Sequence, residues 1–598
     1  MTRGHGGVED DGPTGSDARP NGVSFPECAL TGLAFAAVMS LAFAPISFWP
    51  ASLIAIAPLS RLAWRTSHAS DPVRWGRGML GVMLGSAPFW GVQMWWTFDV
   101  ARLGYPPLIL YLTLLPAIYP FVVGLALRGL PSAWWWVGAT TSWSLLELLR
   151  GRVIFDGFAW FDVGHPLIDV GPTLIWPARY GGAALVSLLA AAIGASIGIG
   201  AAQGRWRGYH GATTLALLWV VVGMLVARAD EAEPPSDDEA ISIGVVQTNV
   251  PQDRKTAWTA EDRPRDFAVM IDLTYEAADR GADIIVWPET MFPGIGLDAP
   301  VVAELRALRD SLASYADWVL GTESELGVPM IVGATGYDDF VIERTEDGGG
   351  RWDSARAHNS VFAISDGTVV ARYDKLRLTP FGEIMPYISW SETLENWLLA
   401  IAAGGMAFDL TPGEAPVVFN LDVRDHQTRI VTPICFEVTD VGTVRRLLGR
   451  GDADERPSLM INLTNDGWFG DWTAGRRQHL AAARWRCVES AVPMARAANT
   501  GISAVVDPWG RVIASGVDGL DEPDQVDGVL VARVVPRAAR SFYLSGGWLL
   551  SWAIGATGLG FLIGTPLHRR CTSAVGSNSG KLPEDAPNGS MESSRTDG

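Results

Sequence analysis

The chain has 598 residues, too many for one ordinary hydrophobic core, so we expect more than one domain. Hydrophobic residues make up 48% of it, 26 residues are Trp, and the mean hydropathy is +0.17, which is high for a soluble protein and indicates membrane spans. The formal net charge of −19 excludes the basic surface that a nucleic-acid partner would need. The four cysteines contain no C-x-x-C pair and have no histidine at ligand spacing, so we expect no disulfide framework, no metal and no cofactor.

The N-terminal part of the chain predicts a membrane domain. Residues 1–24 are rich in Gly, Asp and Pro, and we predict a disordered tail there rather than a cleavable signal peptide. Apolar segments then alternate with arginines over 25–228, which predicts seven spans, and an eighth is predicted within 541–566. The eight predicted spans are 27–44, 49–63, 78–98, 103–127, 131–149, 180–201, 211–227 and 546–564.

Arginines in the short loops predict the orientation of these spans. If the N terminus is inside, the inner loops hold more arginines than the outer loops, as the positive-inside rule requires. The large segment between the seventh and eighth spans then lies on the outer, periplasmic face of a bacterial cytoplasmic membrane. The inner arginines are Arg61, Arg65, Arg74, Arg77, Arg128, Arg205 and Arg207, and the outer ones are Arg102, Arg150, Arg152 and Arg179.

The segment after the seventh span predicts a second, globular domain. Residues 229–240 are acidic, contain two prolines and show no apolar period, so we place a linker there. Helical patterns at 263–280, 300–326 and 476–491 then alternate with strand-type runs, which predicts an α/β domain over 241–540. We interpret His479 in the third helix as a satisfied or exposed histidine, and we expect a disordered tail over 567–598. The strand-type runs are 241–247, 283–288, 329–334, 359–365, 367–373, 429–436, 459–464, 502–506 and 528–534.

Three of these runs end at residues that can carry acid–base or nucleophilic chemistry. A proline stops one strand and presents Glu289 at its tip, a second strand runs to Lys375 before a loop rich in Pro and Gly, and a third ends at Cys435. A carboxylate can take the proton of a thiol, the thiolate can attack a carbonyl, and a fixed Lys can stabilise the oxyanion. The neighbouring Lys also favours the thiolate form of Cys435.

The order of acid, amine and thiol, at intervals of 86 residues (289 to 375) and 60 residues (375 to 435), resembles the Glu-Lys-Cys triad of the nitrilase superfamily. With seven spans before this domain and one after it, the chain from about 27 to 565 resembles the apolipoprotein N-acyltransferase family. The motifs that carry the resemblance are Trp287-Pro288-Glu289, Lys375 with Pro380-Phe381-Gly382-Glu383, Cys435-Phe436-Glu437, Asn465-Asp466-Gly467-Trp468-Phe469, Asn499-Thr500-Gly501, Glu147-Leu148-Leu149-Arg150-Gly151 and Gly157-Phe158-Ala159-Trp160.

This resemblance implies a polytopic helical membrane domain with a nitrilase-like αββα sandwich outside the membrane. It implies that Glu289 is the general base, that Lys375 supports the oxyanion and that Cys435 is the acylated nucleophile. It implies supporting roles for Glu383 and Glu437. The aromatic residues that we expect to contact substrate are Trp258, Trp468, Phe158 and Trp160.

The implied reaction has two substrates. Cys435 takes an acyl chain from a phospholipid, and the α-amino group of a diacylglyceryl-cysteine at the N terminus of an apolipoprotein then receives it. A membrane-anchored hydrolase of the nitrilase type, which would cleave small amides or nitriles, is the alternative, because the triad fixes acyl chemistry and not the acceptor. A transporter with an outer binding module is a second alternative, although its spans should hold several charged groups.

Overall fold

The computed structural model describes residues 22–69, 75–100, 102–204, 209–231, 239–251, 258–259, 261–344, 350–380, 383, 410–424, 426–449, 455–516 and 526–578. These residues form a helical half, up to residue 231, and an α/β half from residue 239, which is followed by a C-terminal helix. Most of the predicted tails and of the predicted linker, at 1–21, 579–598 and 232–238, lie outside the described residues.

The helical half consists of apolar helices separated by short turns. Its first helix begins where the Ser24 side chain accepts a hydrogen bond from the Glu27 backbone N–H at 3.4 Å, with a proline in the first turn, and both features favour a helix start. In chain order the helices are α1 (Phe25–Ala42), α2 (Ala57–His68), α3 (Trp75–Gln93), α4 (Trp96–Val100), α5 (Tyr105–Ala126), α6 (Ser132–Arg152), α7 (Pro172–Ile175), α8 (Ala178–Gly181), α9 (Ala183–Gln203) and α10 (Tyr209–Glu231).

Helices α1 and α3 approach each other closely because glycines face each other between them. A Cβ atom on Gly85 of α3 would lie 2.1 Å from the carbonyl oxygen of Ala29, and one on Gly32 of α1 would lie 2.4 Å from that of Val82. Neither position can accept a side chain unless the backbones separate.

Four helical segments are long and apolar enough to cross a membrane, namely α1, α5, α9 and Leu549–Pro566 of the C-terminal helix. The other predicted spans also contain helices, but these are shorter or less apolar within the described residues. The second predicted span is a 3₁₀ helix, Trp49–Ile54, followed by α2, with a proline in the first turn of each. The count of eight spans stays a prediction.

The α/β half contains two six-stranded sheets. The first has the order β14-β1-β2-β3-β6-β7, with β1, β2 and β3 parallel, and the second has the order β13-β12-β11-β10-β9-β8, with β9, β10 and β11 parallel. The strands are β1 (Ile241–Gln247), β2 (Ile284–Val286), β3 (Met330–Asp338), β4 (Val341–Arg344), β5 (Gly350–Asp353), β6 (Arg356–Ser365), β7 (Thr368–Asp374), β8 (Phe419–Val423), β9 (His426–Val431), β10 (Leu459–Thr464), β11 (Met494–Ala498), β12 (Ala504–Val506), β13 (Val512–Ser515) and β14 (Gly528–Val534).

The two sheets pack face to face between layers of helices, as the αββα prediction requires. Ile243 and Val245 of β1 belong to the apolar cluster between the sheets, whereas Val246 belongs to the cluster that includes Phe267 of a helix on the outer face. Leu480, on a helix that packs on the second sheet, belongs to the same apolar cluster as Ile243 and Val245. The helices of this half are α11 (Asp262–Asp279), α12 (Ala299–Ala307), α13 (Ala313–Leu326), α14 (Val441–Leu448) and α15 (Thr473–Ser490), and α16 (Leu549–Asn578) follows.

Three predicted boundaries differ from the structure. The predicted helix 300–326 is two helices, α12 and α13, and Arg309 between them has a positive φ of 53°. Helix α16 continues through Pro566 to Asn578, although we expected a disordered tail from residue 567. Helix α10 likewise continues into the predicted linker, to Glu231.

Side chains of α15 attach the α/β half to the helical half. Arg484 donates to the backbone carbonyl of Ile168 at 3.2 Å and forms an ion pair with Asp169, and Trp485 Nε1 donates to the carbonyl of His165 at 3.2 Å. The carboxylate of Glu489 accepts a hydrogen bond from the N–H of the first residue of α9 at 2.8 Å. The two halves therefore share a polar interface as well as an apolar one.

Candidate active site

Glu289 lies where β2 stops. Pro288 ends the strand, as the sequence predicts, and the following turn passes so close to β3 that a Cβ atom on Gly333 would lie 2.2 Å from the Pro288 carbonyl oxygen. Thr290 follows with a positive φ of 49°. The Glu289 side chain is 6% exposed, so a tight turn holds this carboxylate inside the protein.

Lys375 follows β7 and is buried between two carboxylates. Its Nζ lies 2.7 Å from Oε2 of Glu383 and 3.4 Å from Oε1 of Glu289, and its side chain is 1% exposed. Burial acts to lower the pKa of Lys375, but the two carboxylates outweigh it and raise that pKa. The ammonium form is therefore stable in this interior position.

Asn359 of β6 connects the two carboxylates. Its Nδ2 donates to Oε1 of Glu289 and to Oε1 of Glu383, both at 2.8 Å. Glu383 also accepts the Thr379 N–H at 2.7 Å. Burial acts to raise the pKa of Glu383, but the nearby Lys375 ammonium outweighs burial, so this pKa is lowered. The sequence interpretation missed Asn359, because an amide inside a strand has no motif around it. Phe381 and Gly382 of the predicted motif lie outside the described residues.

Cys435 lies beyond the end of β9, in the first position of the 3₁₀ helix Cys435–Thr439, with a positive φ of 47°. Burial is the largest influence on its thiol, and Glu289 adds to it, so that the pKa of Cys435 rises to about 12 although Lys375 and a hydrogen bond with Thr464 act to lower it. Lys375 does favour the thiolate form, as we expected, but it is not the strongest influence on this thiol. Burial and the nearby carboxylates outweigh the ammonium, and Cys435 rests as a neutral thiol.

Glu437 connects the loop of Lys375 to the turn of Cys435. Its buried carboxylate accepts the N–H of Leu376 at 2.8 Å and that of Ile434 at 2.8 Å, and the Tyr373 hydroxyl lies 3.0 Å from both oxygens. Burial raises the pKa of Glu437 to about 7, and the hydrogen bond from Ile434 acts in the opposite direction. Glu437 thus connects the residues that follow β7 with those that follow β9.

A second network lies behind Cys435 and was missed from the sequence. His479 of α15 is buried, with Nε2 3.2 Å from the carbonyl oxygen of Cys435 and Nδ1 2.9 Å from Asp466. Arg496 of β11 donates to both oxygens of Asp466 at 2.9 Å. Our interpretation of His479 as an ordinary helical histidine overlooked these partners, because they come from three different elements.

The predicted aromatic residues occupy different places. Trp160 is 5% exposed, and its ring contacts those of His479 and Phe469, whereas Phe158 is partly buried beside it with 5.8 Å between ring centroids. Trp258 donates to an aspartate of α11 and contacts the outer apolar cluster of the first sheet, and no described contact joins it to Glu289, Lys375 or Cys435. Trp468 is partly exposed, next to Phe469.

A cavity of about 340 Å³ lies between the two halves. Phe43 and Trp160 line it from the helical half, and Arg477, Leu480 and Ile502 line it from the α/β half. Its walls are mostly apolar, and its volume is in the range of small-molecule sites.

Within the described ranges, no three His, Cys, Asp or Glu side chains are grouped so that they could hold a metal ion.

Comparison with known proteins identifies the class and then the family. Residues 242–540 match the family model described as carbon-nitrogen hydrolase, so the α/β half is a nitrilase-like domain of this class. Residues 35–196 match the model described as the apolipoprotein N-acyltransferase N-terminal domain. The chain belongs to the apolipoprotein N-acyltransferase family.

Individual relatives agree with this assignment. The apolipoprotein N-acyltransferase of Sinorhizobium medicae is 31% identical over 467 residues, which are 75% of this chain and 77% of the relative. That of Rhodopseudomonas palustris is 28% identical over 544 residues, which are 85% and 90% of the two chains. Among solved structures, an amidase from Nesterenkonia sp. is 18% identical and covers 51% of this chain and 92% of its own, with a TM-score of 0.33, which is too low to support an argument.

Proposed function

We propose that this protein transfers an acyl chain from a phospholipid, through a thioester on Cys435, to the α-amino group of a diacylglyceryl-cysteine at the N terminus of apolipoproteins. The family and its named relatives support the substrates. The observation that supports the chemistry is the buried Lys375 ammonium between Glu289 and Glu383, next to a thiol whose pKa responds to all three charges.

In the first half-reaction, the Glu289 carboxylate accepts the proton of the Cys435 thiol while sulfur attacks the ester carbonyl carbon of the phospholipid. A C–S bond forms, and the carbonyl oxygen becomes an oxyanion that Lys375 stabilises. The oxyanion then collapses, the ester C–O bond breaks, and the lysophospholipid leaves with the proton held by Glu289. Because the resting thiol is neutral, the proton transfer and the attack are coupled in this step.

In the second half-reaction, the free α-amino group of the lipoprotein attacks the thioester carbon, and Glu289 accepts a proton from the nitrogen. A second oxyanion forms at the same place, so Lys375 serves both steps. The C–S bond breaks, an amide remains on the lipoprotein, and the sulfur recovers a proton. Water would hydrolyse the thioester between the two steps, so this mechanism requires that water be kept from Cys435 until the amine arrives.

The membrane arrangement is also part of the proposal. We infer eight spans in a bacterial inner membrane, seven over 25–228 and one over 541–566, with a catalytic domain over 241–540 on the periplasmic face, as the arginine distribution supports. In this arrangement Trp160, which lines the cavity between the halves, and Phe158 beside it lie near the path of the acyl chain. We assign Trp258 and Trp468 to substrate contacts on the resemblance alone.

The decisive experiment follows the acyl group. Purified protein is incubated with phospholipid that carries a labelled acyl chain, and intact mass spectrometry measures the mass added to the protein. We expect one acyl group on Cys435, released by hydroxylamine and absent from Cys435→Ala. Addition of a diacylglyceryl peptide should move the label to its N-terminal amine. Turnover of a small amide, with no acyl group on Cys435 from phospholipid, would instead favour the nitrilase-type hydrolase.

A further inference from the structure

We propose that His479 is a positioning residue, which holds the backbone of Cys435 in its bent conformation, and that Trp160 of the helical half keeps the His479 ring in place. The reaction in which this positioning matters rests on the proposed function, but the contacts themselves do not. Cys435 is the starting point, because a residue other than glycine with a φ of 47° is strained and needs its surroundings to keep it there.

The hydrogen bond between His479 and Cys435 defines which ring nitrogen donates. The Cys435 carbonyl oxygen can only accept, so the hydrogen must be on Nε2 of His479, 3.2 Å away. Nδ1 lies 2.9 Å from Oδ1 of Asp466 and 3.1 Å from Nη2 of Arg496, and the same nitrogen of Arg496 donates to Asp466. Burial and Arg496 lower the pKa of His479 whereas Asp466 acts to raise it, and Nε2 carries a hydrogen for Cys435 in either case.

The Cys435 turn is held from several directions. Glu437 accepts the N–H of Ile434 at 2.8 Å, on the residue before the nucleophile, and Thr464 hydrogen-bonds with its sulfur. His479 supplies the bond to the carbonyl, which belongs to the planar peptide that follows Cys435. Without that bond the following peptide could rotate toward an unstrained φ and ψ, and the direction of the sulfur would change with it.

Trp160 restrains the His479 ring from the helical half. The two ring centroids are 6.2 Å apart with their planes inclined by 27°, and Phe469 contacts both rings, at 6.0 Å from Trp160 and 5.8 Å from His479. Trp160 is itself buried against aromatic residues of the helical half, including Trp96 at 6.2 Å. The conformation of the nucleophile therefore depends on how the two halves are docked.

Two amide substitutions separate positioning from simple packing. In His479→Gln the amide nitrogen lies about as far from the backbone as Nε2 and can donate to Cys435, whereas in His479→Asn it reaches only to the Nδ1 position. We expect His479→Asn to lower kcat about 100-fold with KM nearly unchanged. The His479→Gln variant should retain most of the original kcat. Peptide mass spectrometry measures the rate at which iodoacetamide alkylates Cys435. This rate should fall more in His479→Asn than in His479→Gln.

His426→Asn is the matched control, because His426 is exposed at the start of β9 and should leave kcat and alkylation unchanged. Thermal unfolding midpoints identify a variant that fails to fold. If His479→Asn does not fold, Trp160→Leu against Trp160→Phe gives a second test, in which Leu should slow alkylation and Phe should preserve it.

The proposal is overturned if Gln and Asn at 479 lower kcat and alkylation equally, if neither lowers them, or if Trp160→Leu has no effect. Alkylation requires neither phospholipid nor lipoprotein. If alkylation follows the expected order but no acyl transfer occurs in the unmodified protein, the proposed function fails and the positioning role of His479 remains.

Discussion

Lys375 and Glu383 form a buried ion pair, with 2.7 Å between Nζ and Oε2. Glu383 is itself held by the Thr379 N–H and by the Asn359 amide, at 2.7 and 2.8 Å. The second carboxylate, Glu289, lies 3.4 Å from the same ammonium. In the proposed mechanism this arrangement separates two tasks, because Glu383 fixes the ammonium while Glu289 exchanges protons.

The first prediction concerns this ion pair. Glu383→Gln keeps a side chain of the same shape but removes the negative charge closest to Lys375, so the Lys375 pKa falls and the ammonium loses its strongest restraint. We expect kcat to fall about 100-fold with KM within about threefold of the original value. Steady-state transfer assays measure both constants.

Glu414→Gln is the control for this prediction, because Glu414 pairs with Arg356 on the exposed surface and should leave both constants unchanged. Glu383→Gln with an unchanged kcat would show that Glu383 does not hold Lys375 for the reaction.

The second prediction concerns the charge around the thiol. Because the Cys435 pKa is raised to about 12, the thiolate fraction, and with it the alkylation rate, should grow about tenfold per pH unit from about pH 7 to about pH 10. Glu289 raises this pKa, so Glu289→Gln should lower it and speed alkylation at a fixed pH, while acyl transfer falls because the base is lost. Lys375 lowers this pKa, so Lys375→Met should slow alkylation.

Quantitative mass spectrometry of the Cys435 peptide measures these rates, because the chain has three other cysteines. Equal alkylation rates in Glu289→Gln and Lys375→Met would contradict the opposite effects of the two charges. If the alkylation rate of Cys435 in the unmodified protein stopped rising near pH 7, the raised pKa itself would be contradicted.

The third prediction concerns Glu437. Each of its oxygens accepts a backbone N–H, so the NH₂ group of Glu437→Gln must face one of these donors. One buried N–H then lacks an acceptor, at a cost of about 1–3 kcal/mol, and the turns of Lys375 and Cys435 lose their connection. We expect a lower thermal unfolding midpoint and reduced acyl transfer. Tyr373→Phe removes only a hydroxyl from the same carboxylate and should have the smaller effect on both measurements.

The fourth prediction concerns the interface between the halves. Glu489 lies 3.1 Å from Arg486, both side chains are nearly buried, and the same carboxylate accepts the first N–H of α9. Glu489→Ala should cost about 3–5 kcal/mol, because it leaves a buried guanidinium without its partner and removes an anion from a helix N terminus. The matched exposed pair is Arg280 with Glu276, and Glu276→Ala should cost less than about 1 kcal/mol. Similar unfolding midpoints for the two variants would contradict this ranking.

The sequence predicted much of the fold because the relevant signals are local. The apolar runs of β1 and β10 and the proline after β2 are read within a few positions, and these strands occur where we expected them. Strands β4, β5, β8, β11 and β13 were not predicted. All five have only four or five residues, and β11, Met494–Ala498, consists mostly of alanine, which is a weak strand signal. The apolar–polar alternation of β8, Phe419–Val423, is a strand pattern that we overlooked.

What the sequence by itself determined is the family, together with a set of candidate groups, an acid, an amine and a thiol at the ends of three strands. Only the tertiary structure decided the state of these groups. The neutral thiol of Cys435, the carboxylate that Lys375 approaches most closely and the contact of His479 with Cys435 all depend on burial and on distances between elements far apart in the chain. Charges and hydrogen bonds act through space, so a linear order of residues can name the participants but not the balance among them.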